Sequence, residues 1–376
     1  MPKNTAIICE FNPLHNGHKA ILTHAKRMGD RVIAIMSGNF TQRSVCAIFD
    51  KYKRAEAALR AGADAVFELP FPWCSSGGEF FALGGVGVAA GLGLESFVFG
   101  SETGDADRVS RAAEYIGSDE YSDALDRLET GIGTAAAHDK LLADQGLSLS
   151  SNDKLAAEYV RAAMKLGLDA DFTAYKRMTD PETYRSATDL RGMMKDGGEV
   201  DSFIPEELCK IYGETPDGDI AKLCELLFNH FRLLDAAPEG IFDAEGGVAE
   251  RLIGCAAEAR SAEEFFTLAA TKRYTNSRLR RAALFTLMCV TEDDVKAPPR
   301  FTVLLGANER GREFLSEIRR TSSIKVLTKP SAGMDDADES FARQYEMWKR
   351  ADELYTLCMS NGVKKGEFLR RNAVIR

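Results

Sequence analysis

Residues 5–18 read Thr5-Ala6-Ile7-Ile8-Cys9-Glu10-Phe11-Asn12-Pro13-Leu14-His15-Asn16-Gly17-His18, and the architecture of the N-terminal half follows from that run. An apolar stretch the length of one buried strand gives way to turn-prone Glu10–Pro13, and His18–Met28 then carries a helical pattern. Strand, tight turn and helix N-terminus in that order make an anion site, because the first helical N–H groups find no partner inside the helix. His15 and His18, three apart at the turn, can share a pocket there and donate to phosphate oxygens as charge develops. A four-residue HNGH alone is equally compatible with two surface histidines, so the flanking chain decides between these readings.

Strand patterns recur at Arg31–Met36, Ala65–Glu68 and Ser96–Gly100, separated by helical patterns at Asp50–Ala61 and the Gly-rich but apolar Glu79–Ala90. Such alternation predicts right-handed βαβ units and a doubly wound parallel sheet of Rossmann-like α/β class, whose ligands bind beyond the carboxyl ends of the strands. HNGH, Ser37–Phe40 and Gly100–Glu102 all follow strand ends and are predicted to converge on one crevice. Ser37-Gly38-Asn39-Phe40-Thr41-Gln42-Arg43 reads either as a strand-end turn or as a contact for ligand or RNA end. Asp105–Lys165 is helical with a loop at Gln145–Ser151, and Phe172–Tyr175 is a further strand. Ser186-Ala187-Thr188-Asp189-Leu190-Arg191 opens a helix that Ser186 or Thr188 can cap, with Arg191 one turn in. Past Pro205 the alternation ends. Ile220–Leu234, Gly247–Leu268 and Ser277–Val290 read as helices. Phe301–Leu305, Asn308–Arg320 and Ile324–Leu327 read as a βαβ-like unit, and Ser340–Met359 as a last helix. The predicted organisation is a catalytic α/β domain over residues 1–200 and a mainly helical α+β domain over 201–376.

At 376 residues, 45% apolar and 28% charged, the chain has the composition of an ordinary soluble globular protein with room for a full core. No apolar run is long enough to span a bilayer, and the first strand begins too near Met1 to leave room for a leader, so a cytoplasmic location is expected. The eight cysteines are scattered without a C-x-x-C pair, which predicts no zinc site, no metal site of the chain's own, and small core side chains in place of disulfides. A net charge of −9 argues against indiscriminate coating of nucleic acid, DNA included. Charge is segregated, however. Lys272, Arg273, Arg278, Arg280 and Arg281 fall in ten residues without an acid, and Tyr274 sits among them. That run suits phosphate contacts and stacking on RNA, or else one solvated helix face. A second basic cluster runs from Lys364-Lys365 through Arg370-Arg371 to Arg376. His24, His138 and His230 lack ligand-like spacing, and Lys51, Lys53 and Arg54 open a helix that faces either the crevice or solvent.

HNGH at 15–18 and SATDLR at 186–191 resemble the two signatures, H-x-G-H and S-[ST]-T-x-[IL]-R, of the HxGH nucleotidyltransferase superfamily. More narrowly, the chain resembles the bacterial tRNA(Met) cytidine acetate ligase family. The matching segments run in order: Glu10–His18, Met36–Arg43, Phe67–Phe71, Phe99–Glu102, Ser151–Tyr159, Lys272–Thr275 with Arg278-Leu279, Phe301–Gly306 and Thr328–Pro330. The resemblance implies that ATP activates acetate as acetyl-adenylate, and that the acetyl group passes to N4 of the wobble cytidine of elongator tRNA(Met). It implies His15 and His18 as the catalytic pair, with Mg²⁺ on the phosphates. ATP contacts are implied from Ile7, Ile8, Cys9, Glu10, Phe11, Asn12, Pro13, Leu14, Asn16, Gly17, Gly100, Asn152, Arg177, Ser186, Thr188 and Arg191. No side-chain nucleophile is required. Two other functions fit parts of the chain: a small-molecule nucleotidyltransferase, which has no use for a basic helical half, and a nucleotide-sensing RNA-binding protein without turnover, which has no need of both histidines. Three positions depart from the family pattern: Leu14 replaces an aromatic, Ala157 stands beside Glu158 where no glycine is present, and Ala187 replaces a hydroxyl.

Overall fold

A computed structural model of the chain describes residues 4–376 except 130–133, 178–179, 181, 183, 214–215, 272–273 and 333–337. The expected strands form: β1 (Asn4–Cys9), β2 (Arg31–Ser37), β3 (Ala65–Leu69), β4 (Ser96–Ser101) and β5 (Asp171–Lys176). They lie mutually parallel in the order β5-β4-β1-β2-β3. The winding reverses between β1 and β4, so the crevice past their carboxyl ends is the switch point where ligands of doubly wound sheets bind.

Helices α1 (Asn16–Met28), α2 (Lys51–Ala61) and α3 (Gly78–Gly91) follow the first three strands. The glycines of α3, costly in a helix, have a packing reason. A Cβ on Gly84 would stand 2.4 Å from Trp73 Cβ, and one on Gly85 2.9 Å from Ile8 Cγ2. Their absence lets α3 lie directly on Trp73 and on Ile8 of β1.

The C-terminal half completes the same sheet. β6 (Phe301–Ala307) lies antiparallel to β3, with Ala65 opposite Ala307, and β7 (Lys325–Leu327) and β8 (Val374–Ile375) pair parallel to β6. The βαβ-like unit expected at 301–327 is therefore the far edge of a mixed sheet. Position 200 marks a change in element type across which one sheet and one core continue. A wholly buried run such as β6 carries no alternation to reveal its partner or direction. The helix expected at Gly247–Leu268 is two, Val248–Glu258 and Ala262–Ala269, because the Ser261 side chain accepts from Glu264 N and starts the second afresh.

Two cations expected at the crevice or in solvent are instead fully buried beneath it. Lys51 Nζ donates to both oxygens of Glu68, at 2.9 and 2.8 Å, and to Asp352 at 2.6 Å. Trp348 Nε1 donates to Glu68 at 3.0 Å, and Asn39 Nδ2 to Asp352 at 2.9 Å. This cluster joins the loop after β2 to the last long helix, Glu339–Cys358. Arg54 has carbonyl partners: it donates to Phe49 O at 2.9 Å, Glu10 O at 2.6 Å, Ser37 O at 3.2 Å and Gly38 O. It thereby clamps the ends of β1 and β2 together. Lys53, less buried, pairs with Asp217 at 3.1 Å.

Candidate active site

The turn after β1 is closed by its own histidines. His15, in extended backbone, is the N-cap of α1, and its Nδ1 accepts from Gly17 N at 3.1 Å. His18 Nδ1 accepts in return from His15 N at 3.3 Å, so two imidazoles make the reciprocal capping box usually built from a hydroxyl and a carboxylate. The rings stack with centroids 3.8 Å apart and 22° between planes. Gly17 is required by this closeness, since a Cβ there would meet His15 Cε1 at 3.0 Å and Tyr184 Cε2 at 3.1 Å. Because each Nδ1 takes a backbone proton, the neutral ring carries its own proton on Nε2. Each histidine thus offers one N–H donor to the cleft it lines.

Burial lowers the pKa of His15 from 6.5 to about 3, with Arg177 adding to the effect. His18 is likewise held well below its ordinary value, by burial first and then by His15 and Arg177. Both rings are neutral donors at physiological pH, and the positive charge in the cleft comes from Arg43, Arg177 and Arg191. Linkage gives this a measurable consequence. The unfolded histidine takes a proton near 6.5 but the folded one only near 3, so the stability is whole above 6.5 and is lost as pH falls toward 3. Denaturant midpoints are expected to drop from about pH 6.5 to 5.5, at up to about 1.4 kcal/mol per pH unit for each such histidine. His15→Asn should flatten that slope, and an unchanged slope would contradict the assignment.

The cleft, ≈ 340 Å³, lies at the switch point. Ile7, Ile8, Cys9, Glu10, Phe11, Asn12, Gly17 and both histidines line it from β1 and α1, and Gly100 from the end of β4. Asn152 joins from the helix Ser151–Leu166, Arg177 from beyond β5, and Ser186, Thr188 and Arg191 from the helix Ala187–Lys195 and its cap. Arg191 donates to Asn12 O at 2.8 Å and to Thr188 Oγ1 at 2.9 Å, which ties the second motif to the first. Ser186 is the N-cap, accepting from Asp189 N at 3.1 Å, so its cap and cleft readings both apply. Arg177 donates to the Tyr184 hydroxyl and stands 3.9 Å from Glu102, which also accepts from Asn152 Nδ2 and from Ser150 Oγ, each at 2.6 Å.

Three expected contacts do not line the cleft. Pro13 and Leu14 are buried under the turn, where Leu14 N donates to Tyr212 Oη at 3.1 Å, and Asn16 Nδ2 donates away to Ser202 O at 3.0 Å. They shape the loop that presents the histidines. Conversely, Leu155 and Tyr159 line the cleft and were legible as the i+3 and i+7 companions of Asn152 on one helical face. Ile21, Val45, Phe81 and Phe99 also line it and had no signal beyond an apolar pattern, whereas Gln42 and Arg43 arrive on the Ser37–Arg43 loop.

Residues 2–368 match the HIGH Nucleotidyl Transferase family. The tRNA(Met) cytidine acetate ligase of Thermoanaerobacter pseudethanolicus is 32% identical over 388 residues, covering 94% of this chain and 95% of that protein. The enzyme of the same name from Thermotoga maritima is 34% identical over 358 residues, covering 86% of each. The crystal structure of Thermotoga maritima TmcAL bound with alpha-thio ATP superimposes with a TM-score of 0.90 at 30% identity, covering 100% of both chains. The chain belongs to the tRNA(Met) cytidine acetate ligase family of HIGH nucleotidyl transferases.

In this member of the ligase family the basic run is partly spoken for. Arg278 and Arg281 converge on Asp243, the former at 3.6 Å, and Arg278 also lies 5.3 Å from the Tyr274 ring centre. Arg280 stacks over Phe266 at 5.8 Å. Lys272 and Arg273 lie outside the described residues. The helix Asn276–Met288 lies against the start of α3, where the Arg281 guanidinium stands 3.8 Å from the place a Cβ on Gly77 would take. Among the described residues there is no group of three or more His, Cys, Asp or Glu able to hold a metal, and no helix long and apolar enough to cross a membrane.

Proposed function

We propose that the chain is an ATP-dependent ligase that activates acetate as acetyl-adenylate and transfers the acetyl group to N4 of the wobble cytidine of elongator tRNA(Met). The products are N4-acetylcytidine, AMP and pyrophosphate. The observation that carries this reading is the pair of neutral Nε2–H donors beside three arginines at the sheet's switch point, in a chain whose relative binds alpha-thio ATP over the same fold. In the first step an acetate oxygen attacks the α-phosphorus, its O–P bond forms, and the bond to pyrophosphate breaks. This displacement calls for alignment and charge compensation more than for covalent chemistry. His15 and His18 would donate to the oxygens on which charge builds, without losing a proton, while Arg43, Arg177 and Arg191 offset the negative charge. Among the described residues lining the cleft Glu10 is the single carboxylate, so the chain builds no cage for Mg²⁺ there. The ion would travel on the phosphate oxygens with its waters and supply further charge compensation.

In this reading residues 1–200 hold the nucleotide and residues 201–376 hold the tRNA in the cytoplasm, with Arg278, Arg280 and Arg281 among its phosphate contacts. The test is mass analysis of nucleosides from unmodified tRNA(Met) incubated with the protein, ATP and labelled acetate. Labelled N4-acetylcytidine with one pyrophosphate per acetyl group is expected, without acetyl-CoA. Pyrophosphate release that needs a small phosphorylated acceptor and no tRNA would favour a small-molecule nucleotidyltransferase.

A further inference from the structure

Glu10 is out of place in a site for a polyanion. It is the one carboxylate among the described residues lining the cleft, and its charge opposes phosphate binding. Yet it is firmly held: Gln42 N donates to Oε1 at 2.7 Å, and buried Arg54 grips its main-chain oxygen at 2.6 Å. Among the described residues no lysine or arginine forms an ion pair with its carboxylate. One carboxylate oxygen is thus fixed from behind, and the other has no hydrogen-bond partner among the described residues.

The second half of the ligase reaction needs a proton acceptor. The cytidine N4 amine is conjugated with its ring and scarcely basic, and it must shed a proton as it bonds to the acyl carbon. The histidines cannot accept it, because each Nδ1 is occupied by a backbone N–H and each Nε2 already bears hydrogen. The Cys9 thiol and Tyr159 phenol, both lining the cleft, are held protonated by burial. Arginines offer no lone pair.

We propose that Glu10 is the general base of acetyl transfer, an inference that rests on the ligase reading. As the N4–C bond forms, the free carboxylate oxygen of Glu10 takes one N4 proton. The bond from the acyl carbon to the phosphate oxygen breaks, its electron pair leaves with AMP, and Glu10 then returns the proton to water.

Glu10→Gln keeps an oxygen for Gln42 N–H but removes the basic site. The two half-reactions are measured separately on the full chain: acetate-dependent pyrophosphate–ATP exchange, and single-turnover acetyl transfer to unmodified tRNA(Met) at saturating tRNA. Transfer is expected to fall on the order of 10²- to 10⁴-fold further than exchange, the usual span for a lost general base. Glu10→Asp, which keeps a carboxylate, should recover part of that loss. Exchange and transfer falling together would make Glu10 part of nucleotide or metal binding and overturn the proposal. So would undiminished transfer, or a loss that vanishes as tRNA concentration is raised. A wild-type chain without acetate-dependent exchange would remove the ligase reading, and this inference with it. Wild-type exchange with an unsplit Glu10→Gln profile removes the inference alone.

Discussion

Replacing His15 by Asn is expected to slow acetate-dependent pyrophosphate exchange on the order of 10²-fold or more, with folding stability kept within about 1 kcal/mol of wild type above pH 6.5. The two halves of that result come from the two nitrogens of one ring. Nδ1 caps α1 by accepting from Gly17 N, and an asparagine oxygen is among the best replacements for that acceptor. Nε2–H has no equivalent at the same reach in the shorter asparagine side chain, so a donor to the transition-state phosphate is lost. His15→Ala removes both and should show the same rate defect plus about 1 kcal/mol of destabilisation. Exchange kinetics and denaturant unfolding on the three proteins separate the effects. An Asn variant with wild-type exchange would mean that the imidazole serves only as a cap.

Lys51→Met should be the most destabilising of the conservative-volume substitutions beneath the site, by about 3–5 kcal/mol. The cation sits between Glu68 and Asp352 with essentially no solvent access, and 4.6 Å from the Trp348 ring centre. Removing it strands two carboxylates in the core. Even with Lys51 beside it, burial pushes Asp352 up to about 7, well above its ordinary 3.8. The folded chain therefore binds that proton more tightly than the unfolded chain, and the associated stability, present at lower pH, is lost as pH rises through 7. Without Lys51 this loss should steepen, so unfolding of Lys51→Met at pH 6 and pH 8 should differ more than in wild type. Its exchange activity should fall as well, since Asn39 leaves the same cluster to begin the loop that carries Gln42 and Arg43. A variant within 1 kcal/mol of wild type at both pH values would refute this account.

The first βα unit was legible because its signals are local. The strand-turn-helix order, the two histidines three apart and the cap at Ser186 each depend on neighbours within one or two turns of chain. The convergence of HNGH, the loop after β2 and Gly100 followed from the rule that such sheets gather ligands at one end of their strands, whereas Asn152, Arg177 and Arg191 were implied by the family resemblance. What escaped reading was decided over long sequence separations. Nothing near Lys51 or Arg54 distinguishes a buried cation from a solvated one, since their partners are Glu68, Asp352 and a set of main-chain carbonyls. Arg278 and Arg281 looked like a free comb of charge until Asp243 came beside them.

By itself, then, the sequence determined the strand-turn-helix punctuation, the two histidines of the first turn and the family, because each of these is written in contiguous residues. Tertiary structure alone decided that β6 extends the sheet antiparallel to β3, that both histidines are held uncharged, and that Glu10 is the one carboxylate among the described residues lining the cleft. Strand partners, burial and protonation are properties of what surrounds a residue in space, and the chain brings those surroundings together only on folding.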